Sequence, residues 1–288
     1  MKERAPLLTR PVSISAAQAA NRRFSVGLAR AFGGAILFAF PLLMTMEMWW
    51  LGFYMDRFRL MLLLLILVPL LIGLSYYAGF EENMRWKGVL LDAFVAYAVG
   101  CIAAAVLLLL FAVIAPRMSA QEIIGKVVLQ AVPGSIGAIL ARSQLGGPKA
   151  EEKERQLGAS YGGELFLMAA GALFLSFNVA PTEEMVLISY QMAAWHTIAL
   201  ALGSLLLLHA FVYTMEFSGQ AVLPPTTPPW STFLRFTVVG YSLALLISFY
   251  ILWTFGRTDG MAGTEVMRMT VVLGFPAAVG AAAARLIL

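Results

Sequence analysis

Eight apolar segments, each long enough to cross a lipid bilayer, constrain this chain more than any other feature of its sequence. A transmembrane helix needs about 20 mostly apolar residues, whereas a transmembrane strand needs about half as many. Segments of helical length occur at 27–44, 58–79, 87–114, 121–141, 160–180, 194–215, 231–255 and 264–287. The sequence therefore predicts an all-α, polytopic membrane protein with about eight transmembrane helices.

The composition excludes the soluble classes of protein. Of the 288 residues, 60% are hydrophobic and 12% are charged, whereas a soluble domain carries about 25% charged residues. A soluble enzyme, a nucleic-acid-binding protein and a disordered protein are all excluded, and the lipid bilayer is the predicted partner. Cys101, His196 and His209 are the only cysteine and histidines, which is too few for a histidine or cysteine metal centre. With no nucleotide or haem motif in the chain, we expect no cofactor and no enzymatic activity.

The basic residues predict how the chain is oriented. Eight spans place both termini on one side, and with that side inward the inner segments hold 14 of the 20 basic residues, so the termini are predicted to be cytoplasmic. The expected organisation is a cytoplasmic N-terminal segment (1–26), a four-helix membrane unit (27–142), a polar cytoplasmic linker (143–159) and a second four-helix membrane unit (160–288). Two short segments, at 45–56 and 182–193, do not fit this scheme and are interfacial, re-entrant or continuous with their neighbours.

The two membrane units resemble each other in sequence. A shift of 137 residues aligns 34–80 with 171–217, a shift of 144 aligns the third spans, and a shift of 143 aligns 121–145 with 264–288 with eight identities. Chance similarity of apolar helices does not explain proline, glycine, glutamate and arginine in register. We expect two tandem, parallel repeats related by a pseudo-twofold axis along the membrane normal.

Proline and small residues recur at matched positions on the last helix of each repeat. Pro133 matches Pro276, and Gly137 matches Gly280. Proline inside a helix frees a carbonyl and favours a kink or hinge, and glycine lets helices approach closely in lipid. These four residues are predicted to serve packing or hinge motion.

Matched acidic residues are the candidate functional groups. Glu47 and Glu184 follow the first span of each repeat, and a carboxylate in hydrocarbon, which costs at least about 2.5–3.5 kcal/mol, normally faces a cavity, a partner or water. Repeat symmetry would bring the two carboxylates together, where they form a site for a hard cation or share a proton. The alternative is that both are solvated at the membrane interface, beside the aromatic belt of Trp49 and Trp50.

Three further acids are weaker candidates. Asp92 lies inside the third span, where it faces a pore or pairs with Arg235. Glu122 and Glu265 begin the fourth and eighth spans, where they either complete a ring of acids or cap their helices. His196 and His209 are interpreted as packing residues rather than proton relays.

Short motifs point to a known family. Thr-Met-Glu-Met-Trp-Trp at 45–50, Ala-Pro-Thr-Glu-Glu at 180–184 and the paired Pro-x-x-x-Gly helices resemble a bacterial family of integral membrane proteins of unknown function. The resemblance covers the chain from about residue 20 and implies the cytoplasmic (inner) membrane of a bacterium. It implies no activity and no site residues.

These features lead to two functional hypotheses. The first is a channel or transporter for a small cation or proton, in which Glu47, Glu184, Asp92, Glu122 and Glu265 line the route. In this hypothesis a homo-oligomer completes the pore. The second is a non-transporting membrane scaffold, sensor or assembly subunit that binds protein or lipid. An intramembrane enzyme acting on lipid is the least favoured, because no nucleophile–base pair can be drawn from these residues.

Overall fold

The computed structural model describes residues 16–78, 86–144, 161–214 and 229–287, and every regular element in these ranges is a helix. In the first half, the helices are α1 (Ala16–Leu43), α2 (Met46–Tyr54), α3 (Arg57–Ala78), α4 (Trp86–Leu110) and α5 (Ala120–Gln144). In the second half, they are α6 (Tyr161–Val179), α7 (Glu183–Gln191), α8 (Ala194–Thr214), α9 (Pro229–Thr232), a π-helix (Phe233–Val238), α10 (Val239–Thr254) and α11 (Gly263–Ile287).

Eight of the described helices are long and apolar enough to span a membrane. They coincide with the eight predicted segments to within a few residues, so the predicted helical, multi-spanning class is confirmed. The first helix begins at Ala16, which places part of the predicted N-terminal segment in α1. Residues 1–15, and all but the first two residues of the predicted linker, lie outside the described residues.

The two segments that did not fit the scheme are separate short helices. Thr45 and Thr182 precede α2 and α7 in extended conformation, so neither helix is continuous with the span before it. Helix α2 packs on α5, and α7 packs on α11. The ends of the spans next to α2 and α7 define what we call the short-helix side of the protein.

Side chains near α2 satisfy the last carbonyl groups of α1. The Thr45 hydroxyl donates to the Pro41 carbonyl (2.7 Å), and the Trp49 indole donates to the Leu43 carbonyl (2.9 Å). From α5, the Gln130 amide donates to the Leu42 carbonyl (3.1 Å). Carbonyls at a helix C-terminus lack intrahelical donors and are costly to leave unpaired in lipid. The Thr-Met-Glu-Met-Trp-Trp motif therefore ends α1 and turns the chain.

One helix lies at the centre of each half. Helix α5 packs against α1, α2, α3 and α4, and α11 packs against α6, α7, α8 and α10. The closest crossings involve matched glycines: a Cβ on Gly34 would overlap the Gly137 carbonyl, and one on Gly171 would overlap the Gly280 carbonyl. The predicted packing glycines thus lie where α5 meets α1 and where α11 meets α6. Pro133 and Pro276 lie inside α5 and α11.

The halves meet mainly through α3. Helix α3 packs against α6 and, less extensively, against α10, and α5 packs against α6 to the same small extent. On the short-helix side, Arg59 makes a bidentate ion pair with Asp259 (2.9 and 2.8 Å), donates to the Trp253 carbonyl and lies over the Trp253 ring. Towards the opposite side, Tyr77 stacks on Phe166 with ring centroids 5.3 Å apart.

These contacts do not confirm the predicted twofold arrangement. A twofold axis would make α8 pack against α1 as extensively as α3 packs against α6. Within the described ranges, the contact between α3 and α6 has no equally extensive counterpart between α8 and α1. A physical reason is that the alignment pairs Arg59 with His196, whose ring instead accepts the Ala193 N–H at the start of α8.

The glycine crossings predict opposite effects for two Gly→Ala changes. Gly171→Ala should lower the free energy of unfolding by about 1–3 kcal/mol, because the added methyl group has no room beside Gly280. Gly203→Ala is the matched control: nothing lies within 4 Å of its Cβ position, so better helix propensity should raise stability by up to about 1 kcal/mol. Thermal unfolding in detergent measures both, and equal shifts would contradict the close crossing.

Candidate functional site

The acids predicted at the starts of α5 and α11 have local structural partners. The Glu122 carboxylate pairs with Lys126 at 2.7 Å, and the Ser119 hydroxyl accepts the Glu122 N–H, as in a capping box. The Glu265 carboxylate accepts the Ala262 N–H at 3.2 Å. These contacts account for both carboxylates without a ligand.

The matched acids Glu47 and Glu184 belong to different bundles. Glu47 is half-buried on α2, and Glu184 is exposed on α7. These helices pack on α5 and α11 respectively and are not among the helices that hold the halves together. Asp92 is half-buried on α4, and Arg235, its predicted partner, is exposed in the π-helix. In the part of the chain that is described, no three His, Cys, Asp or Glu side chains are grouped so as to hold a metal ion.

The second half instead buries a series of polar side chains between its helices, which we call the polar column. Its members are buried, except for the half-buried His209, and lie on three helices: Glu164 and Ser176 on α6, Thr197, Ser204 and His209 on α8, and Thr237, Tyr241 and Ser248 on the π-helix and α10. Lipid-facing positions would expose such groups to hydrocarbon at a high cost, so they point into the bundle.

Helical rise gives the order of these groups across the membrane. At 1.5 Å per residue, Thr197, Ser204 and His209 lie about 5, 15 and 22 Å from the short-helix end of α8. On the neighbouring helix, Ser248 and Tyr241 lie about 9 and 20 Å from the same side. These groups span about 17 Å of a hydrocarbon core that is about 30 Å thick.

Unpaired polar atoms are concentrated in the same half. Seven buried side-chain nitrogen and oxygen atoms have no hydrogen-bond partner among the described residues, and six of them belong to the second half. They include Ser176 Oγ and Thr197 Oγ1 of the polar column, and the Tyr241 hydroxyl, which has the Ser204 side chain nearby but no hydrogen bond of good geometry. A buried polar group without a protein partner is normally bonded to an ordered water, which predicts water beside Ser176 and Thr197.

The end of the polar column away from the short helices is built around the π-helix. His209 Nδ1 lies 3.0 Å from the Thr237 hydroxyl, and the Tyr161 hydroxyl donates to the Arg235 carbonyl at 2.9 Å. Glu164, 4% exposed, lies one turn further along the helix that begins at Tyr161. Segments of π-helix occur frequently at functional sites, and this one brings a hydroxyl group to an imidazole inside the membrane span.

Tyr241 shows that the middle of the column is enclosed by protein. It packs with Met168 of α6, Leu208 of α8 and Ala278 of α11 in one buried cluster. At the short-helix end, Arg257 pairs with Glu183 at 2.8 Å and also donates to the Pro181 carbonyl. Charged groups therefore surround this end of the second half.

The first half carries apolar residues where the second half carries the polar column. The alignment pairs Ser176, Thr197, Ser204, Thr237 and Ser248 with Ala39, Leu60, Leu67, Ala93 and Ala104, and all five first-half residues are buried. Only Tyr241 has a polar counterpart, Tyr97. Sequence reasoning looked for identities between the halves and missed this column. The signal that could have found it is a polar residue in one repeat opposite an apolar residue in the other.

Comparison with known proteins identifies a family for this chain but no individual relative. A family model described as "Putative integral membrane protein (DUF2391)" matches residues 27–288. No curated protein and no solved structure matches the chain.

The unpaired hydroxyl groups predict bound water inside the second half. A high-resolution experimental structure in lipid should show ordered water bonded to Ser176 and Thr197, because hydrocarbon offers these groups no partner. The matched positions Ala39 and Leu60 should be dry. Direct protein hydrogen bonds to both hydroxyl groups, with no water nearby, would contradict a hydrated column.

Proposed function

The chain belongs to the DUF2391 family of integral membrane proteins, and we propose that its second half carries protons across the membrane along the polar column. The observation that supports this most directly is the set of buried hydroxyl groups at Ser176, Thr197 and Tyr241, of which the first two have no hydrogen-bond partner among the described residues. Their counterparts in the other half are apolar, apart from Tyr97. The first half buries polar groups of its own, at Ser75, Gln130 and Ser135, but at different positions.

The chemistry of the polar column suits a proton better than a metal cation. Hydroxyl groups, water and imidazole both donate and accept hydrogen bonds, so a proton can pass by exchange between neighbours, as in the relays of other membrane proteins. A bare Na⁺ or Ca²⁺ ion needs several oxygen ligands at one level. The polar column instead spaces single hydroxyl groups along three helices.

Each end of the polar column has ionisable groups suited to collecting or releasing protons. At one end are His209, hydrogen-bonded to Thr237, and the buried Glu164. At the short-helix end are Glu183, which pairs with Arg257, and the exposed Glu184. We infer that Glu184 serves at the mouth of this route.

A second candidate is the route expected from the sequence, in which a small cation passes along Glu47 and Glu184. The observation in its favour is that neither glutamate forms an ion pair among the described residues. A half-buried carboxylate near a membrane span is a functional candidate by default.

The matched packing supports a tandem repeat as the origin of the two halves. The Gly34–Gly137 crossing recurs as Gly171–Gly280, and the central helices α5 and α11 have equivalent neighbours. The proposed orientation, with both termini in the bacterial cytoplasm, rests on the distribution of basic residues. It places the short-helix side outward. We also propose that the protein is not an enzyme.

Proton flux through purified protein in liposomes tests the polar column. Tyr241→Phe should slow flux by about tenfold, the rate equivalent of about 1.4 kcal/mol and the size of one hydrogen bond. Tyr97→Phe, the same change at the matched position of the first half, should leave flux unchanged. A pH-sensitive dye inside vesicles carrying a K⁺ diffusion potential measures both variants.

Thermal unfolding separates this functional role from a structural one. The Tyr241 hydroxyl makes no hydrogen bond of good geometry, and the Ser204 side chain is its nearby polar neighbour. Its removal should therefore change the free energy of unfolding by no more than about 1 kcal/mol. Wild-type vesicles that leak no more protons than empty ones would overturn the proposal. Equal flux through Tyr241→Phe and wild-type protein would remove the polar column as the route.

Flux variants at the matched glutamates distinguish the two candidate routes. If protons use the polar column, Glu47→Gln should have wild-type flux, because α2 packs in the first half. Glu184→Gln should reduce flux modestly by removing a charge at the mouth. Loss of K⁺ or Na⁺ flux in both variants, with Tyr241→Phe normal, would favour the cation route along Glu47 and Glu184.

A further inference from the structure

A cavity lies between the two halves, apart from the polar column. Its volume is about 150 Å³, and five helices contribute to its wall. Phe38 comes from α1, Leu74 from α3, Leu140 from α5, Gly171 and Phe174 from α6, and Ala283 from α11. The cavity therefore has walls from both halves.

The residues that line the cavity determine which chemical class of ligand it can bind. Every residue around the cavity is phenylalanine, leucine, isoleucine, alanine or glycine. A polar molecule would lose its hydrogen bonds on entering, and water does not occupy an apolar cavity of this size. The ligand must be an apolar chain or ring.

The position of the cavity within the membrane determines which apolar molecule can enter it. The cavity lies within the membrane-spanning parts of its helices and is only partly enclosed. Acyl chains are the most abundant molecules at that depth. An apolar cavity of about 150 Å³ can hold a six-carbon group, so part of one chain fits. We propose that the cavity binds the acyl chain of a membrane phospholipid, which then lies between the two halves.

Packing gives the reason why an acyl chain would remain there. Apolar walls gain no hydrophobic energy from association in lipid, so the ligand is held by close contact. An empty cavity leaves its wall atoms without contact partners. Phe38 and Phe174, whose rings lie 5.0 Å apart, border the space from opposite halves. A bound chain would therefore contact both halves at once.

The position of the cavity suggests what the bound lipid does. Helix α6 contributes Gly171 and Phe174 to the cavity and Ser176 to the polar column. Filling the cavity would fix α6 between α3 and α11, and so fix the distance between the halves. Binding of the acyl chain itself does not depend on proton conduction.

Photo-crosslinking tests the site in the full-length protein. The probe is a phosphatidylethanolamine with a diazirine in one acyl chain, added in small amount to nanodiscs and mapped by peptide mass spectrometry. Ala283→Phe should fill the cavity and reduce labelling of its wall residues by about tenfold. Leu246→Phe on α10 is the matched control, because Leu246 is 66% exposed to lipid.

Retained lipid gives a second readout of the same site. Native mass spectrometry should find one phospholipid held by wild-type and Leu246→Phe protein after extraction, and none by Ala283→Phe. If Ala283→Phe does not fold, Phe174→Ala tests the acyl-chain site instead. This variant enlarges the cavity and should increase labelling at Leu140 and Ala283.

Three results would overturn the proposal. These are equal labelling in Ala283→Phe and wild-type protein, no response to Phe174→Ala, or a side chain of a second protein copy filling the cavity. Proton flux is not measured in these experiments, so failure of the proposed function and failure of this site remain distinguishable.

Discussion

Hydrocarbon offers no hydrogen bonds, and this constraint governs the structure from the backbone outward. It makes the spans helical, because each helix satisfies its own backbone. It also explains why Thr45, Trp49 and Gln130 all serve the last carbonyls of α1. Under the same constraint, a buried hydroxyl group without a protein partner indicates bound water. The unpaired hydroxyl groups of Ser176 and Thr197 are therefore where bound water is expected.

The two halves share a packing scheme and differ in what they bury. Both place a central helix against glycine-mediated crossings, at Gly34–Gly137 and Gly171–Gly280. The first half buries aliphatic side chains at the positions where the second half buries the polar column. This difference between the halves is the observation on which the proposed proton route rests.

The candidate site was only partly predictable from the sequence. Reasoning from matched identities selected Glu47, Glu184, Glu122 and Glu265, because charged residues near membrane spans are rare and costly. The structure gives Glu122 a lysine partner and Glu265 a helix-capping role, and both contacts are local enough for a capping pattern to suggest. The sequence did not indicate the polar column, because serine and threonine are common in membrane helices without a functional role. Their hydroxyl groups often bond to the backbone of their own helix, as that of Ser248 does.

The sequence by itself determined the number of spans and their approximate positions, because hydropathy depends on neighbouring residues. It left open whether 45–56 and 182–193 are separate helices, which the structure decided. It also determined which residues the halves have in common. Only the tertiary structure decided that α3 joins the halves and that Arg59 meets Asp259, 200 positions away. It alone decided which buried hydroxyl groups lack partners. Those outcomes depend on how distant helices pack, and apolar surfaces of similar composition pack in many ways without changing the hydropathy that the sequence displays.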